Sequence, residues 1–267
     1  MSTIPASGAG GLLREWRERR NLSQMALASG AAVSTRHLSF IETGRSRPSR
    51  EMIIHLADRL DVPLRERNRL LLAAGYAPVY GARPLEGEEM APVRDALQRF
   101  LTAHEPYPAL VVDRCWNLVL MNGAVQTLLS GVAAHLLEPP VNGLRVTLHP
   151  DGMAPAIENL GEWAWHIVDR LDRAIGVTAD PDLAALREEL AGYPGVRDAL
   201  RAGPPPARPA SEMILPLSLR HPAGTLSFFA TQTVFGNPTD VTLSELSIEA
   251  FYPADRATAD LLAAAAG

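Results

Sequence analysis

Lysine is missing from the 267-residue chain, so all 25 of its basic side chains are arginine. This reads first as a coding bias, although the planar guanidinium also suits bidentate contacts to guanine and phosphate. A single cysteine, Cys115, excludes an intrachain disulfide framework and fits a reducing cytosol. No stretch approaches the ~18 apolar residues of a membrane span. The opening MSTIPASGAGG has neither the basic start nor the apolar run of a signal peptide. A cytoplasmic protein without a membrane partner is the expectation.

Catalytic constellations are lacking too. Cys115 stands beside Trp116 with no helix start or basic cluster to lower its pKa. His149 and Asp151 belong to HPDG, whose composition makes a turn. His166, near Trp163 and Asp169, reads as a hydrogen-bonded structural histidine, and Glu162, Asp169 and Asp172 as a solvated face. No phosphate-cradling glycine loop occurs. The expectation is a protein that is not an enzyme and uses no metal and no cofactor.

What the chain does have is an uneven distribution of charge. Residues 1 to 83 carry 13 arginines against 7 acids, a net of +6, and the remainder carries 12 against 23, a net of −11. A basic head can bind phosphate, and an acidic body cannot. The length also favours two domains.

The basic head is organised around Leu22 to Ser49, LSQMALASGAAVSTRHLSFIETGRSRPS. Ser23 and Ser34 are good N-caps for two short helices, and Gly44 can supply the left-handed stop of the second. Leu27, Val33, Leu38 and Ile41 have the spacing to bury one stripe, with Ala28 keeping the crossing small. Gln24, Thr35, Arg36, His37 and Ser39 then face outward, and Arg45 and Arg47 make a basic exit loop. Such an exposed, polar helix start is what reading base edges in the major groove requires.

Around this hairpin, residues 1–10 read as a disordered tail and Leu12 to Arg20 as a helix with Trp16 inward and Arg14, Arg17 and Arg19 wet. Helices over Arg50 to Leu60 and Leu64 to Ala74 complete an all-α five-helix domain at 11–75, with Leu70, Leu71 and Leu72 buried. Residues 76–89 form a linker. Beyond it come a helix at Pro92 to Ala103, two strands at Ala109 to Val112 and Asn117 to Met121, and helices at Gly123 to Ser130, Gly161 to Ile175 and Pro181 to Leu190. PGVRDALRAGPPPARPASE reads as a surface connection. Three late strands follow, starting near Met213, Thr225 and Val241. These elements describe an α+β domain with an antiparallel sheet over 90–253 and a tail at 254–267.

Leu12 to Ala74, with its LSQ and ETGRSRPS signatures, resembles the phage-repressor-like XRE family of helix-turn-helix regulators. The resemblance implies double-stranded operator DNA as partner. It also implies that Gln24 helps fix the second helix, that Thr35, Arg36, His37 and Ser39 read bases, and that Arg45 and Arg47 approach phosphates. Ala32 departs from the glycine often found in the turn, at a cost of ~1 kcal/mol if its backbone is left-handed. The later blocks EPYPALVVDRCWNLVLMN, PPVNGLRVTLHPDGM, NLGEWAWHIVDRL and LSFFATQTVFGNPTDVTLSELSIEAFYPAD are similar to the MmyB-like, PAS-like ligand-binding domain. That implies a transcription regulator sensing a small apolar, fatty-acid-like ligand.

Leu110, Val112, Leu118, Leu120, Leu144, Trp163, Ile167, Phe229 and Phe251 are the candidate lining residues. Arg145, in an otherwise apolar segment, pairs with a protein carboxylate or meets the acidic end of a ligand. A homodimer is expected because one helix-turn-helix reads only a few base pairs. The competing reading makes the second domain a module for a protein partner.

Overall fold

The computed structural model describes residues 8–206 and 214–265. The expectations for residues 1–7 and for a strand beginning at Met213 lie outside these. The chain forms two compact units: Met1–Arg83 with Gly176–Thr178 and Asn237–Ser244, and Pro84–Ile175 with Ala179–Gly236 and Glu245–Gly267.

The first unit carries α1 (Ala9–Arg19), α2 (Gln24–Gly30), α3 (Thr35–Glu42), α4 (Arg50–Arg59) and α5 (Leu64–Ala73). The side chains of Ser23, Ser34 and Ser49 accept the amides of Ala26, His37 and Met52, so three of the five helices begin on a serine cap. Leu13, Leu27, Leu38, Ile41, Ile53, Leu56 and Leu71 are buried at their centre. Leu72, expected inside, is 49% exposed, because the helical turn that buries Leu70 and Leu71 rotates the next position outward. Ala32 has φ of 53°, the left-handed turn anticipated for it, and Gly44 ends α3 at φ of 72°.

Helix α1 starts earlier than expected. Ala9 and Gly10 are helical, and Ala9 is buried. The reason is contact with α3: a Cβ on Gly10 would stand 2.1 Å from the carbonyl oxygen of Ile41. Only a missing side chain allows that approach. Gly10→Ala should therefore force α1 off α3 and lower the melting temperature of the first unit, read by circular dichroism, even though alanine is the better helix former.

The second unit contains α6 (Ala91–Ala103), β1 (Ala109–Val112), β2 (Leu118–Met121), α7 (Gly123–Leu128), α8 (Gly143–Leu148), α9 (Leu160–Thr178, its last three residues grouped with the first unit), α10 (Pro181–Ala191), α11 (Pro194–Ala202), β3 (Leu217–His221) and β4 (Gly224–Val234). A short α12 (Val241–Ser244), grouped with the first unit, precedes the second unit's β5 (Ser247–Pro253) and α13 (Arg256–Ala265). The strands form one antiparallel sheet in the order β2-β1-β5-β4-β3. Its core joins Val112, Leu217, Leu219, Leu226 and Phe228 of the sheet to Leu144, Leu148, Trp163, Ile167 and Leu171 of α8 and α9.

Four segments differ from expectation. One is α8, not among the expected helices, whose start is fixed by the Asn142 side chain accepting the Leu144 and Arg145 amides. The supposed connection after Tyr193 begins with α11, where Pro194 occupies the first turn, a position that tolerates its missing N–H, and Val196 and Ala199 are buried. Residues from Val241 start as α12, because the Asp240 carboxylate accepts the Thr242 amide (2.9 Å) and its carbonyl the Ser244 amide (3.0 Å). The C-terminal tail is helical as α13, whose buried Thr258 accepts the Ser227 amide at 2.9 Å.

Candidate functional site

In the helical unit, the Ser34 cap fixes where α3 begins, and Thr35 and Arg36 stand exposed in its first turn. The Arg36 guanidinium lies 5.3 Å from the centre of the Phe40 ring one turn later. His37 and Ser39 are half-buried on the same helix, and Arg45 is exposed just past Gly44.

Two residues of the expected set are engaged within the unit. Gln24 donates to Glu42 Oε2 at 2.8 Å. Arg47 donates to the Ala74 carbonyl at 2.7 Å and lies over the Tyr76 ring, so it closes the C-terminal end of α5. Arg17 is the clearest departure. Expected to be wet, it is buried and makes a bidentate pair with Glu42 at 2.7 and 3.0 Å. Its third bond, to the Leu22 carbonyl, ties α1 to the start of the hairpin. The Glu42 hydrogen bond pushes the pKa of Arg17 above the usual arginine value.

The second unit holds a cavity between the sheet and α7–α8. Pro108, Leu110 and Leu118 form one side, Val125, Leu128 and Leu129 another, and Val141, Gly143, Val146, Thr147 and Met153 a third. Leu217, Leu219, Phe228 and Phe251 close it from the late strands. The centre of a water-sized sphere can roam over about 80 Å³ inside, several times the ~10–15 Å³ that one water needs. Thr147 is the polar side chain among these, and its hydroxyl is spent on the Gly143 carbonyl at 2.7 Å.

Of the expected lining, Leu110, Leu118 and Phe251 face this cavity. Val112, Leu144, Trp163 and Ile167 are packed in the adjoining core, and Leu120 and Phe229 lie away from the cavity wall. Phe229 stacks on Tyr252 at 5.2 Å, while its neighbour Phe228 points inward. The signal that distinguishes them is parity: Leu226 and Phe228 pair with Leu219 and Leu217, so one face of the sheet carries all four. Val125, Leu128, Val146 and Met153 carried no comparable signal. Arg145 forms a bidentate pair with Glu189 at 2.8 and 2.7 Å, which holds the Glu189 carboxyl below its usual range.

Two other groups singled out in the sequence are held in unreactive forms. Burial pushes the Cys115 thiol up to about 11, away from the reactive thiolate. Burial lowers the His166 pKa, favouring the neutral ring. Asp172 is held by Arg187 at 2.9 and 3.1 Å, and Asp169 by Arg173 at 2.8 Å.

Residues 93–265 match the family model of the MmyB-like transcription regulator ligand binding domain. The chain belongs to that family. Residues 9–70 match a helix-turn-helix domain, so the chain joins a helix-turn-helix head to an MmyB-like ligand-binding domain. No curated protein matches the chain. Among solved structures, "Structure of an RNA-binding Light-Oxygen-Voltage Receptor" matches at 14% identity over 97% of this chain, with a TM-score of 0.27. The chain covers 63% of that structure's length, and a likeness this weak carries no argument about the MmyB-like domain. Among the described residues, no helix is long and apolar enough to cross a membrane.

Proposed function

We propose that this MmyB-like regulator binds a palindromic operator as a homodimer through α3, and that a small apolar ligand of the acyl-chain type occupies the cavity and sets operator affinity. The observation that carries the ligand reading is the lining itself. It is built of carbon, with its hydroxyl already bonded and no cationic side chain, so it fits a hydrocarbon chain and leaves any acidic head group outside. Exposed Thr35 and Arg36 at a capped helix start support the DNA reading.

Ligand control requires that the ligand bind the DNA-competent and DNA-incompetent conformations unequally. Native mass spectrometry of the purified full chain should find a copurified acyl compound. Anisotropy titrations on the regulator's own promoter, with and without that compound, should give different affinities. A cavity that stays empty with added acyl chains would overturn the ligand reading in favour of a module for a protein partner.

The same titration tests the reading surface. Arg36→Ala should erase the preference for operator over random duplex, with a loss of roughly 1–3 kcal/mol. Arg45→Ala should weaken all duplexes alike and reduce the salt dependence by about one phosphate contact. Unchanged binding in both variants would place the reading surface elsewhere.

A further inference from the structure

The HPDG turn gains a third member in the folded chain. His135, distant in sequence, brings its Nε2 to 3.9 Å from Asp151 Oδ2, and His149 Nδ1 stands 3.9 Å from the same oxygen. One ligand atom from each of the three residues lies within 4.8 Å of the others. We propose that His135, His149 and Asp151 form a binding site for a divalent transition-metal ion of the zinc class.

The donor set decides the class. Two imidazole nitrogens and one carboxylate oxygen suit zinc and its first-row neighbours, whereas magnesium and calcium take oxygen ligands. With metal–ligand bonds of about 2.0–2.2 Å, donors around a tetrahedral ion stand roughly 3.4 Å apart. The two separations from Asp151 Oδ2, 3.9 Å each, close to that value by about half an ångström, and the two imidazole nitrogens, within 4.8 Å of each other, close by at most about 1.4 Å. His135 and Asp151 are exposed enough to make those shifts, at 55% and 61%.

The backbone and the outer contacts are arranged to hold such a site. The Ala133 amide donates to the Asp151 carbonyl at 3.0 Å, which pins the turn carrying His135 against the HPDG turn. The His149 ring meets Tyr193 edge-on at 4.9 Å. Tyr193 in turn donates to Glu189 Oε1 at 2.8 Å, and Arg145 grips that carboxylate. The ring contact limits how far the imidazole can rotate. His149 Nδ1 currently accepts the Asp151 amide at 3.0 Å, and a metal would take that lone pair. The turn survives the exchange, because the Gly152 amide bonds separately to the His149 carbonyl at 2.9 Å.

The position gives the site a consequence. It lies between α8 and Met153, both of which wall the cavity, so a bound ion would clamp the loop joining two parts of that wall. Three protein donors also leave a fourth position for water or an external ligand. A second cluster, Cys115 with Asp180 and Asp182, is a poorer candidate, since Arg114 hydrogen-bonds both carboxylates and the thiol is held protonated.

Untagged full-length protein, stripped with a chelator and titrated with Zn²⁺ against a chromophoric competitor, should bind one ion per chain. His135→Ala and His149→Ala should each weaken binding at least tenfold, and Cys115→Ser should leave it unchanged. His135→Ala serves as the decisive variant because its side chain is exposed and its metal-free melting curve should match the parent. Absence of binding, unchanged binding in His135→Ala, or loss in Cys115→Ser would each overturn the assignment.

Discussion

Glu42→Ala should destabilise the helix-turn-helix domain by about 3–5 kcal/mol, the range for a buried ion pair deprived of one partner. The Glu42 side chain is 1% exposed and that of Arg17 is 9% exposed, so neither can turn to water without opening the fold. Removing the carboxylate takes away the acceptor on which two Arg17 guanidinium nitrogens and the Gln24 amide converge, and leaves the Arg17 charge only the longer contact with half-exposed Glu18 at 3.6 Å. A domain of this size holds about 5–15 kcal/mol in total, so a loss of that size takes at least about a fifth of its stability. Urea denaturation of the full chain, followed by helical circular dichroism, should show an early transition in the variant. Operator binding should fall with it, because Gln24 begins α2 and Glu42 ends α3.

The double replacement Arg17→Met with Glu42→Leu discriminates between causes. Exchanging both charges for apolar groups of similar volume removes the stranded partner along with the pair, and such swaps are often neutral or stabilising. If the double variant is as unstable as Glu42→Ala alone, the loss comes from packing and not from an unpaired charge.

That pair also marks what a sequence can and cannot disclose. The serine caps, the glycine stop and the apolar spacing are local, and they foretold α2 and α3 because each acts within a turn or two of its own residue. Arg17 reads as one more charge on a wet helix until its partner, 25 residues on, is known to fold against it. α11 hid behind a proline that breaks a helix in its interior yet is welcome in its first turn. α12 hid because an Asp240 side chain bonded ahead along its own backbone outweighs the strand preference of Val241. The alternation of the late strands was visible, but choosing Phe228 over Phe229 needed the register against β3. The cavity as a whole was the least legible feature, since a residue beside a void and one in solid core have the same composition.

Phe228→Ala tests that void. Phe228 is 1% exposed, lines the cavity and meets Phe251 edge-on, so truncating it should cost the ligand-binding domain about 3–5 kcal/mol. The space it leaves is continuous with the cavity, and that yields a measurement independent of stability. Each methylene moved from water into an apolar site contributes about 0.8 kcal/mol, close to fourfold in affinity. Across a series of straight-chain acyl compounds, affinity for the parent protein should climb by that step until the cavity is full and then level off. In Phe228→Ala the levelling should move to chains several carbons longer, and a saturating long chain should restore a good part of the lost stability, about 2.7 kcal/mol at a hundredfold excess over Kd. Phe229→Ala provides the contrast: its ring stacks on Tyr252 away from the cavity, so it should leave the chain-length profile where it was. A profile that breaks at the same length in the parent and in Phe228→Ala would mean that the hydrocarbon binds somewhere else.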